Sequence, residues 1–241
     1  MKLSVIACDV LLREISALAA RSPHMVDLQF LPKGLHDLRC QEMLARLQEA
    51  VDACAECDAV VMAYALCGNG LAGLRAHRVP LVIPKAHDCI TLLMGSRARY
   101  RAYFDANPGI YFRSPGWIER GSGSSQLSGF DTDKKALVAK YGEENAAWLY
   151  EQMHSYEKTY RGFTHIRTGV TGEDLERRFE ETTKADAQRL GWTFESLTGD
   201  LTLLERLLAG DWDGEDFVVA QPGELLAATW DDQVLEARLA P

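Results

Sequence analysis

Four short segments in the first part of the chain are predicted as strands, and the two at residues 59–65 and 81–84 are uninterrupted apolar runs. The four segments occupy residues 3–7, 26–30, 59–65 and 81–84. An apolar run of this length without polar interruptions is typical of a strand that is buried on both faces of a parallel sheet. Between the runs, apolar residues recur at helical spacing. We predict helices over residues 10–20, 37–57 and 71–77. Strands that alternate with helices predict an α/β fold with right-handed crossovers.

The second part of the chain is less regular but continues the alternation. After residue 89 we predict a short apolar helix, a break at residues 95–96, and a second helix that ends before Asn107. Pro and Gly in residues 114–117 favour a turn. We predict strands at residues 110–113, 163–167, 192–196 and 217–220. We predict helices at residues 134–160, with a break at Gly142, and at residues 173–190 and 200–208.

A glycine- and serine-rich stretch at residues 121–125 is the most linker-like segment of the chain. We therefore predict two domains. The first, residues 1–120, is an α/β lobe that carries the candidate site, and the second, residues 121–241, is an α/β lobe that starts with helices. The fold that we expect is a Rossmann-like parallel sheet with helices on both faces, in two lobes with a cleft between them. A single continuous sheet is the alternative.

Composition narrows the class of protein. The 241 residues are 47% apolar and 25% charged with a net charge of −9, which is ordinary for a soluble globular protein. No basic patch suits a phosphate backbone, so we expect no nucleic-acid partner. No run approaches a membrane span, so we expect no membrane. The chain begins directly with a strand pattern, and its six cysteines suggest free thiols or metal ligands in a reducing cytoplasm.

The candidate chemistry lies where the predicted strands end. Cys8 ends the first run, Cys67 follows the third, and His87 and Cys89 follow the fourth. Because the carboxyl ends of parallel strands meet at one edge of a sheet, we expect these four side chains to lie together there. Thiolate and imidazole ligands suit zinc. The sequence therefore predicts a zinc site, with Asp88 orienting His87 from behind. Three protein ligands would leave a catalytic position open, whereas four would close the site.

A small-molecule or cofactor contact is predicted beside the zinc site. If the predicted helix begins after Cys67, its N-terminus favours an anion. We assign cofactor binding to Gly68, Asn69, Gly70, Lys85 and Thr91. Other residues that we expect near the same edge are Asp9, Lys33, His36, Tyr64, Arg97, Trp117, Glu119, Tyr156, Tyr160 and His165. Cys40 is interpreted as a packed or half-exposed thiol, and the pair Cys54 and Cys57 lies at a helix C-terminus rather than where redox pairs usually form.

Several stretches together resemble a known family. They are VIACDVL at the start, CGNG, IPKAHDCITLLMGS and PGWIE. The combination resembles the domain-of-unknown-function family 1638 over most of residues 1–219. This resemblance implies an association with corrinoid-dependent methyl transfer from methylated amines. The spacing of His87 and Cys89 is also similar to the His-x-Cys zinc pair of methylcobamide:thiol methyltransferases, although those enzymes are barrels and their additional cysteine follows the pair.

Three functions remain open on the sequence. The first is a zinc-dependent enzyme that activates a thiol or water for methyl transfer, with a small-molecule substrate and a corrinoid protein or methyltransferase as partner. The second is a non-catalytic accessory protein that binds a corrinoid or a metal for a methyltransferase. The third is metal-free catalysis by a cysteine thiolate, with His87 as the base.

Overall fold

A computed structural model describes residues 1–54, 56–121, 134–153 and 159–240. These residues form ten β-strands and nine α-helices. The strands are β1 (Lys2–Cys8), β2 (Met25–Leu31), β3 (Ala59–Ala63), β4 (Leu81–Pro84), β5 (Ile110–Arg113), β6 (Gly162–Arg167), β7 (Thr193–Thr198), β8 (Phe217–Ala220), β9 (Glu224–Ala228) and β10 (Leu235–Leu239). The helices are α1 (Leu12–Ala19), α2 (Cys40–Ala53), α3 (Cys89–Met94), α4 (Arg97–Ala106), α5 (Pro115–Glu119), α6 (Lys134–Tyr141), α7 (Glu143–Met153), α8 (Glu173–Leu190) and α9 (Thr202–Ala209).

The larger sheet has five strands in the order β2-β1-β3-β4-β8. The first four are parallel, and β8 runs antiparallel to β4. Strands β3 and β4 consist entirely of buried residues, as their uninterrupted apolar runs require. The predicted α/β architecture with a parallel-rich sheet is therefore confirmed. The first sheet also places the ends of β1, β3 and β4 next to each other.

A second sheet has three parallel strands in the order β5-β6-β7. Segments that follow its strands contact segments that follow β1 and β4. After β6, Thr168 donates a hydrogen bond of 2.8 Å to Glu14 of α1. After β7, the Asp200 amide donates to the Leu93 carbonyl at 2.8 Å. After β5, helix α5 packs against the 3-10 turn that follows β1, residues 9–11. The segments that follow β5, β6 and β7 thus contact the turn after β1, helix α1 and helix α3.

Residues 71–77 do not form the predicted helix. Gly73 has a φ of +99°, and its amide donates to the Leu226 carbonyl at 2.8 Å. The Leu226 amide returns a bond of 2.8 Å to Leu74, and the Ala76 amide bonds to Glu224 at 2.9 Å. The segment therefore begins with a turn, and its residues 73–76 bond to β9. This pairing satisfies its backbone groups through a distant part of the chain, which local helical spacing does not reveal.

Other local predictions also differ from the structure. Residues 115–119 form a short helix instead of a turn, and Pro115 occupies its first position, where a missing N–H costs nothing. The hairpin of β9 and β10 was not predicted, and β8 belongs to the first sheet. The break at Gly142 is confirmed. The predicted linker lies mostly outside the described residues, as do residues 154–158 of the predicted long helix. The domain boundary at residue 120 stays a prediction.

A buried histidine of the second sheet predicts acid sensitivity. His165 has no exposed surface, its Nδ1 lies 3.1 Å from Thr183 Oγ1, and its Nε2 has no partner among the described residues. Burial, reinforced by Arg167 and Arg113, lowers the pKa of His165 to about 4. The unfolded chain binds a proton near pH ~6.5. The stability that this residue provides is therefore complete above that pH and is lost as the pH falls towards 4.

We expect His165→Asn, whose amide can also donate to Thr183, to flatten this acid dependence. The difference in unfolding free energy between wild type and variant is expected to shift in favour of the variant by about 3 kcal/mol between pH 7 and pH 4. Urea denaturation at several pH values measures it. The same change in unfolding free energy with pH for the two proteins would contradict the lowered pKa of His165.

Candidate functional site

The carboxyl edge of the first sheet gathers three cysteines. Cys8 is the last residue of β1, Cys67 follows β3, and Cys89 begins α3 after β4. The three thiols are near enough that a charge on Cys8 or Cys67 raises the pKa of Cys89, and one on Cys8 raises that of Cys67. Adjacent parallel strands account for this convergence, because their ends share one edge. The prediction that these cysteines lie close together is consistent with the structure.

The loop at Cys67 has an unusual backbone. Cys67 and Asn69 have φ values of 46° and 70°, and Gly68 between them has a φ of 67°. A side chain in this left-handed region costs free energy, so two of them in one turn indicate a conformation that the surroundings impose. The Cys67 amide donates to the His87 carbonyl at 2.9 Å, which ties the loop to the segment after β4. The predicted helix N-terminus at this loop is wrong, because no helix follows it.

Burial keeps all three thiols protonated near neutral pH. It raises the pKa of Cys8 to about 12 and that of Cys67 to about 12, and it raises the pKa of Cys89 well above the ordinary value. Neighbouring acidic groups add to this effect. The Lys33 ammonium acts in the opposite direction on the pKa of Cys8. A buried thiol with a raised pKa is a poor nucleophile. These cysteines therefore become reactive only when a cation or a strong donor stabilises the thiolate.

His36 is the histidine that contacts a cysteine of the edge. Its Nε2 lies 3.6 Å from Cys8 Sγ, and its ring centroid lies 6.2 Å from that of Tyr64. The predicted histidine ligand, His87, has an exposed side chain, and its carbonyl accepts the bond from Cys67. A short 3-10 helix after β2, residues 33–37, carries His36 to the edge. Since β2 pairs with β1, the carboxyl end of β2 lies beside Cys8, the last residue of β1.

Tyr64 contributes a buried hydroxyl to the edge. Its side chain is almost completely buried, and the hydroxyl has no hydrogen-bond partner of normal geometry among the described residues. The hydroxyl is nevertheless near enough to the Cys8 thiol to lower the pKa of that thiol. Burial, together with charges on Cys8 and Cys67, raises the pKa of Tyr64. A buried polar group without a partner is costly, and at a candidate site it is consistent with a group that a bound species satisfies.

Asp88 has a structural role in the described residues. Its carboxylate accepts bonds from the Thr91 amide at 3.1 Å and the Thr91 hydroxyl at 3.3 Å, which caps the N-terminus of α3. The Tyr100 hydroxyl donates to its other oxygen at 2.9 Å. Asp88 is thereby fixed beside Cys89 and adds negative potential there. These bonds use Asp88 and Thr91 in capping α3, whereas the sequence predicted roles beside His87 and in cofactor binding.

Helix α5 covers the cysteine edge from the side of the second sheet. The Trp117 indole N–H donates to Cys89 Sγ at 3.2 Å, and Lys33 Nζ lies 5.1 Å from the centroid of the Trp117 ring. Arg13 of α1 forms a two-pronged ion pair with Glu119, one bond of which is 2.8 Å. A Cβ on Gly116 would lie 1.7 Å from the Val10 carbonyl oxygen. The helix is therefore held directly against the turn that follows Cys8.

Comparison with known protein families identifies the family of this chain. A profile described as "Protein of unknown function (DUF1638)" matches residues 30–208, which is most of the chain. The chain belongs to this family. The matched region includes His36, Cys67, Cys89 and Trp117 and begins after Cys8. Neither the comparison with curated proteins nor the comparison with solved structures found a match.

The other predicted binding residues of this DUF1638 protein have different partners. Lys85 is buried, and its ammonium donates to the Gly214 carbonyl at 2.6 Å and to the Gln233 side chain. Arg97 donates to the Glu215 carbonyl at 2.7 Å. These bonds fasten the loops around β8 and β10 to the first sheet. A Cβ on Gly70 would lie 2.5 Å from Met43 Sδ, so this glycine allows α2 to approach closely. Cofactor binding by Gly68, Asn69, Gly70, Lys85 and Thr91 stays a prediction.

The remaining cysteines and aromatic candidates have other partners or lie outside the described residues. Cys40 is exposed and donates to the Gly68 carbonyl at 3.4 Å. The Cys54 sulfur lies 2.9 Å from Ser4 Oγ, and Cys54 and Cys57 line one cavity with residues at the start of β1. Tyr160 packs against Tyr111 and Trp192. Tyr156 lies outside the described residues.

The described residues contain no group of three or more His, Cys, Asp or Glu side chains arranged as ligands around a metal position. The three thiols therefore lie near one another without forming a ready-made ligand set.

Two buried carboxylates were not predicted. Glu14 and Glu176 meet through Thr168, which donates its hydroxyl to Glu14 and its amide to Glu176 at 3.0 Å. In the described part of this DUF1638 protein, no helix has the length and apolar character that crossing a bilayer requires.

Proposed function

We propose that this protein is a zinc-dependent enzyme whose cysteine edge binds the metal through Cys8, Cys67 and Cys89. The supporting observation is that three thiols from three neighbouring strand ends, one buried and two half-buried, lie near enough to influence one another's pKa values. Placing three protonated thiols together gives little stabilisation, whereas three thiolates around a soft cation are strongly stabilised. The proposal thus gives a reason why these thiols are gathered at one edge.

The donor set fits zinc in chemistry, although its side chains are not in a closed ligand geometry. Thiolates are the preferred ligands of zinc, and His36 is the imidazole that already contacts Cys8. Binding would require the three cysteine side chains to move towards a common point. In place of His87, His36 is our preferred histidine of the site, where it would orient Cys8 and leave the fourth metal position open.

The fold suits a reaction site between two lobes. We propose that the five-stranded and three-stranded sheets are Rossmann-like lobes and that the cleft lies between their carboxyl edges. The contacts of α5 with the turn after β1, and of Thr168 with Glu14, support this arrangement. A small-molecule substrate would reach the cysteines from this cleft, as ligands do in other open α/β sheets.

The reaction that we propose is methyl transfer to a thiol or water. A bound zinc lowers the pKa of such a group and so supplies the nucleophile. In the chain itself, Trp117 and Tyr64 restrict water around the sulfur atoms, and Lys33 adds positive potential. A corrinoid protein or methyltransferase as methyl donor is supported only by the family resemblance. Six free cysteines support a reducing cytoplasm as the location.

A second candidate function is a non-catalytic metal-binding accessory protein of a methyltransferase system. The cover by α5 favours it, because Cys8 is only 3% exposed and Trp117 contacts Cys89. If His36 joins the three cysteines, the site has four protein ligands and no open position, as in structural zinc sites. Binding of a free thiol to the zinc-loaded protein distinguishes the two functions, since only a zinc with an open position binds a thiol.

We expect His36→Ala to weaken zinc binding at least ~10-fold and His87→Ala to leave it unchanged. The imidazole of His36 contacts Cys8, whereas that of His87 is exposed. Competition with a chelator of known affinity measures both variants. Loss of zinc from His87→Ala together with normal binding by His36→Ala would contradict the assignment of His36.

A further inference from the structure

Two buried carboxyl groups lie where α1 contacts the loop that follows β6. Glu14 of α1 and Glu176 of α8 each have only 1% of their surface exposed. Thr168 lies between them, since its hydroxyl donates to Glu14 at 2.8 Å and its amide donates to Glu176 at 3.0 Å. The Thr171 hydroxyl also donates to Glu176. We call these four residues the carboxyl junction, which joins α1 to the loop and helix that follow β6.

The two carboxyl groups differ in how their oxygens are satisfied. Both oxygens of Glu176 accept hydrogen bonds, one from the Thr168 amide and the other from Thr171. Glu14 accepts the bond from Thr168 through Oε1, and its Oε2 is buried with no hydrogen-bond partner among the described residues. A buried carboxylate oxygen without a donor is costly, whereas a neutral carboxylic acid in the same place costs much less. The geometry therefore favours an ionised Glu176 and a protonated Glu14.

The charged groups around the junction do not give Glu14 a counter-ion of its own. Arg13, its neighbour on α1, attracts the ionised form, but this guanidinium already forms the two-pronged ion pair with Glu119 of α5. From α8, Glu176 opposes ionisation of Glu14. Burial raises the pKa of Glu14 above its ordinary value, and this effect outweighs the Thr168 hydroxyl, the amide of Glu14 itself and Arg13, which all lower it.

We propose that Glu14 is a proton-operated switch in the carboxyl junction, whose neutral form keeps α1 against the loop after β6 and whose ionisation loosens that contact. The Thr168 hydroxyl can donate to either form, but an ionised Oε2 needs a donor that the closed junction does not supply. Thr168 also lines an open cavity of about 680 Å³ together with Gly169 and Arg99, so solvent reaches Oε2 when the loop moves away from α1. The inference does not depend on zinc or on the proposed reaction.

The test compares thermal unfolding of the full-length wild type, Glu14→Gln and Glu173→Gln between pH 5 and pH 8. Glutamine is uncharged at every pH, so Glu14→Gln imitates the protonated acid. Because folding raises the pKa of Glu14, wild type loses stability relative to this variant as the pH rises above 4.5, the ordinary value. We expect the unfolding temperature of wild type to fall by at least ~3 °C more than that of Glu14→Gln. Glu173 is exposed at the start of α8, so Glu173→Gln is expected to follow wild type.

Two further measurements follow the proton and the contact directly. The C=O stretch of a carboxylic acid disappears when the acid ionises, so infrared difference spectra report the proton. We expect wild type to show an acid band that titrates above pH 5 and that Glu14→Gln lacks. Hydrogen exchange of the Thr168 amide, which donates to Glu176, reports opening of the junction. At pH 8 we expect this amide to exchange faster in wild type than in Glu14→Gln.

Each outcome either supports or overturns the switch. The same pH dependence in wild type and Glu14→Gln, or a wild type without the titrating band, would overturn it. Equal exchange of the Thr168 amide in both proteins at pH 8 would overturn it as well. If Glu14→Gln does not fold, Thr168→Val takes its place, because it removes the hydroxyl that favours the ionised form. The infrared titration is then expected to move to higher pH, and an unmoved or lowered midpoint would overturn the inference.

Discussion

Gly116→Ala is expected to destabilise the protein by ~3 kcal/mol and to displace α5 from the cysteine edge. The added Cβ would lie 1.7 Å from the Val10 carbonyl oxygen and 2.6 Å from the carbonyl carbon. These are backbone atoms, so rotation of a side chain cannot relieve the overlap. In a helix without such a neighbour the same change would stabilise by ~1 kcal/mol. The sign of the measured effect therefore tests whether α5 contacts the turn after β1.

Gly214→Ala is the matched control, because nothing lies within 4 Å of a Cβ at that position. Urea denaturation of both variants gives the two free energies of unfolding. We also expect the cysteines of Gly116→Ala to react faster with an alkylating reagent, since α5 covers them. Equal stability and equal alkylation in the two variants would show that α5 does not lie against Val10.

Cys67→Ser is expected to lose bound zinc and to unfold at a lower temperature than wild type. The proposed site has three thiolates, and a hydroxyl is a poor substitute for one of them. Zinc at ~1,000-fold excess over its dissociation constant stabilises a protein by about 4 kcal/mol, and the variant forgoes this contribution. Thermal unfolding with and without added zinc measures the difference for each protein.

Cys40→Ser is the control for Cys67→Ser. Cys40 is exposed and lies near the same loop, where its thiol bonds to the Gly68 carbonyl. We expect this variant to keep the zinc and the zinc-dependent rise in unfolding temperature. Identical zinc responses of Cys67→Ser and wild type would remove Cys67 from the ligand set.

The first sheet was predictable because its signals are local. Runs such as residues 59–63 are apolar throughout, a pattern that is typical of a strand buried on both faces. The order of the strand ends along one edge then follows from parallel pairing. For this reason the sequence alone predicts the proximity of Cys8, Cys67 and Cys89.

The parts that were missed depend on distant pairing. Strands β9 and β10 have the sequences ELLAA and LEARL, which are rich in good helix formers, and their strand conformation comes from pairing with each other and with residues 73–76. The spacing of apolar residues in 71–77 also favours a helix, but residues 73–76 bond to β9 instead. Propensity is a weak guide where tertiary hydrogen bonds compete with it.

The proximity of the three cysteines was predictable, whereas the other residues that lie near them were less so. His36 was only one of several residues expected near the edge, because its position depends on the 3-10 turn after β2. Trp117 was expected to close over the site from its place in PGWIE, and it does contact Cys89. The pairing of Glu14 with Glu176 through Thr168 had no sequence signal, since α1 and α8 meet only through the packing of the two sheets.

The zinc content of the full-length protein, purified without chelator and without a metal affinity column, tests the central claim most directly. Mass spectrometry of the metal is compared with protein concentration. The account predicts close to one zinc per chain, which is lost on replacing Cys67 or Cys89 and kept in Cys40→Ser. Protein that carries no zinc and takes up none from solution would contradict the account, and the three thiols would then be only buried packing residues.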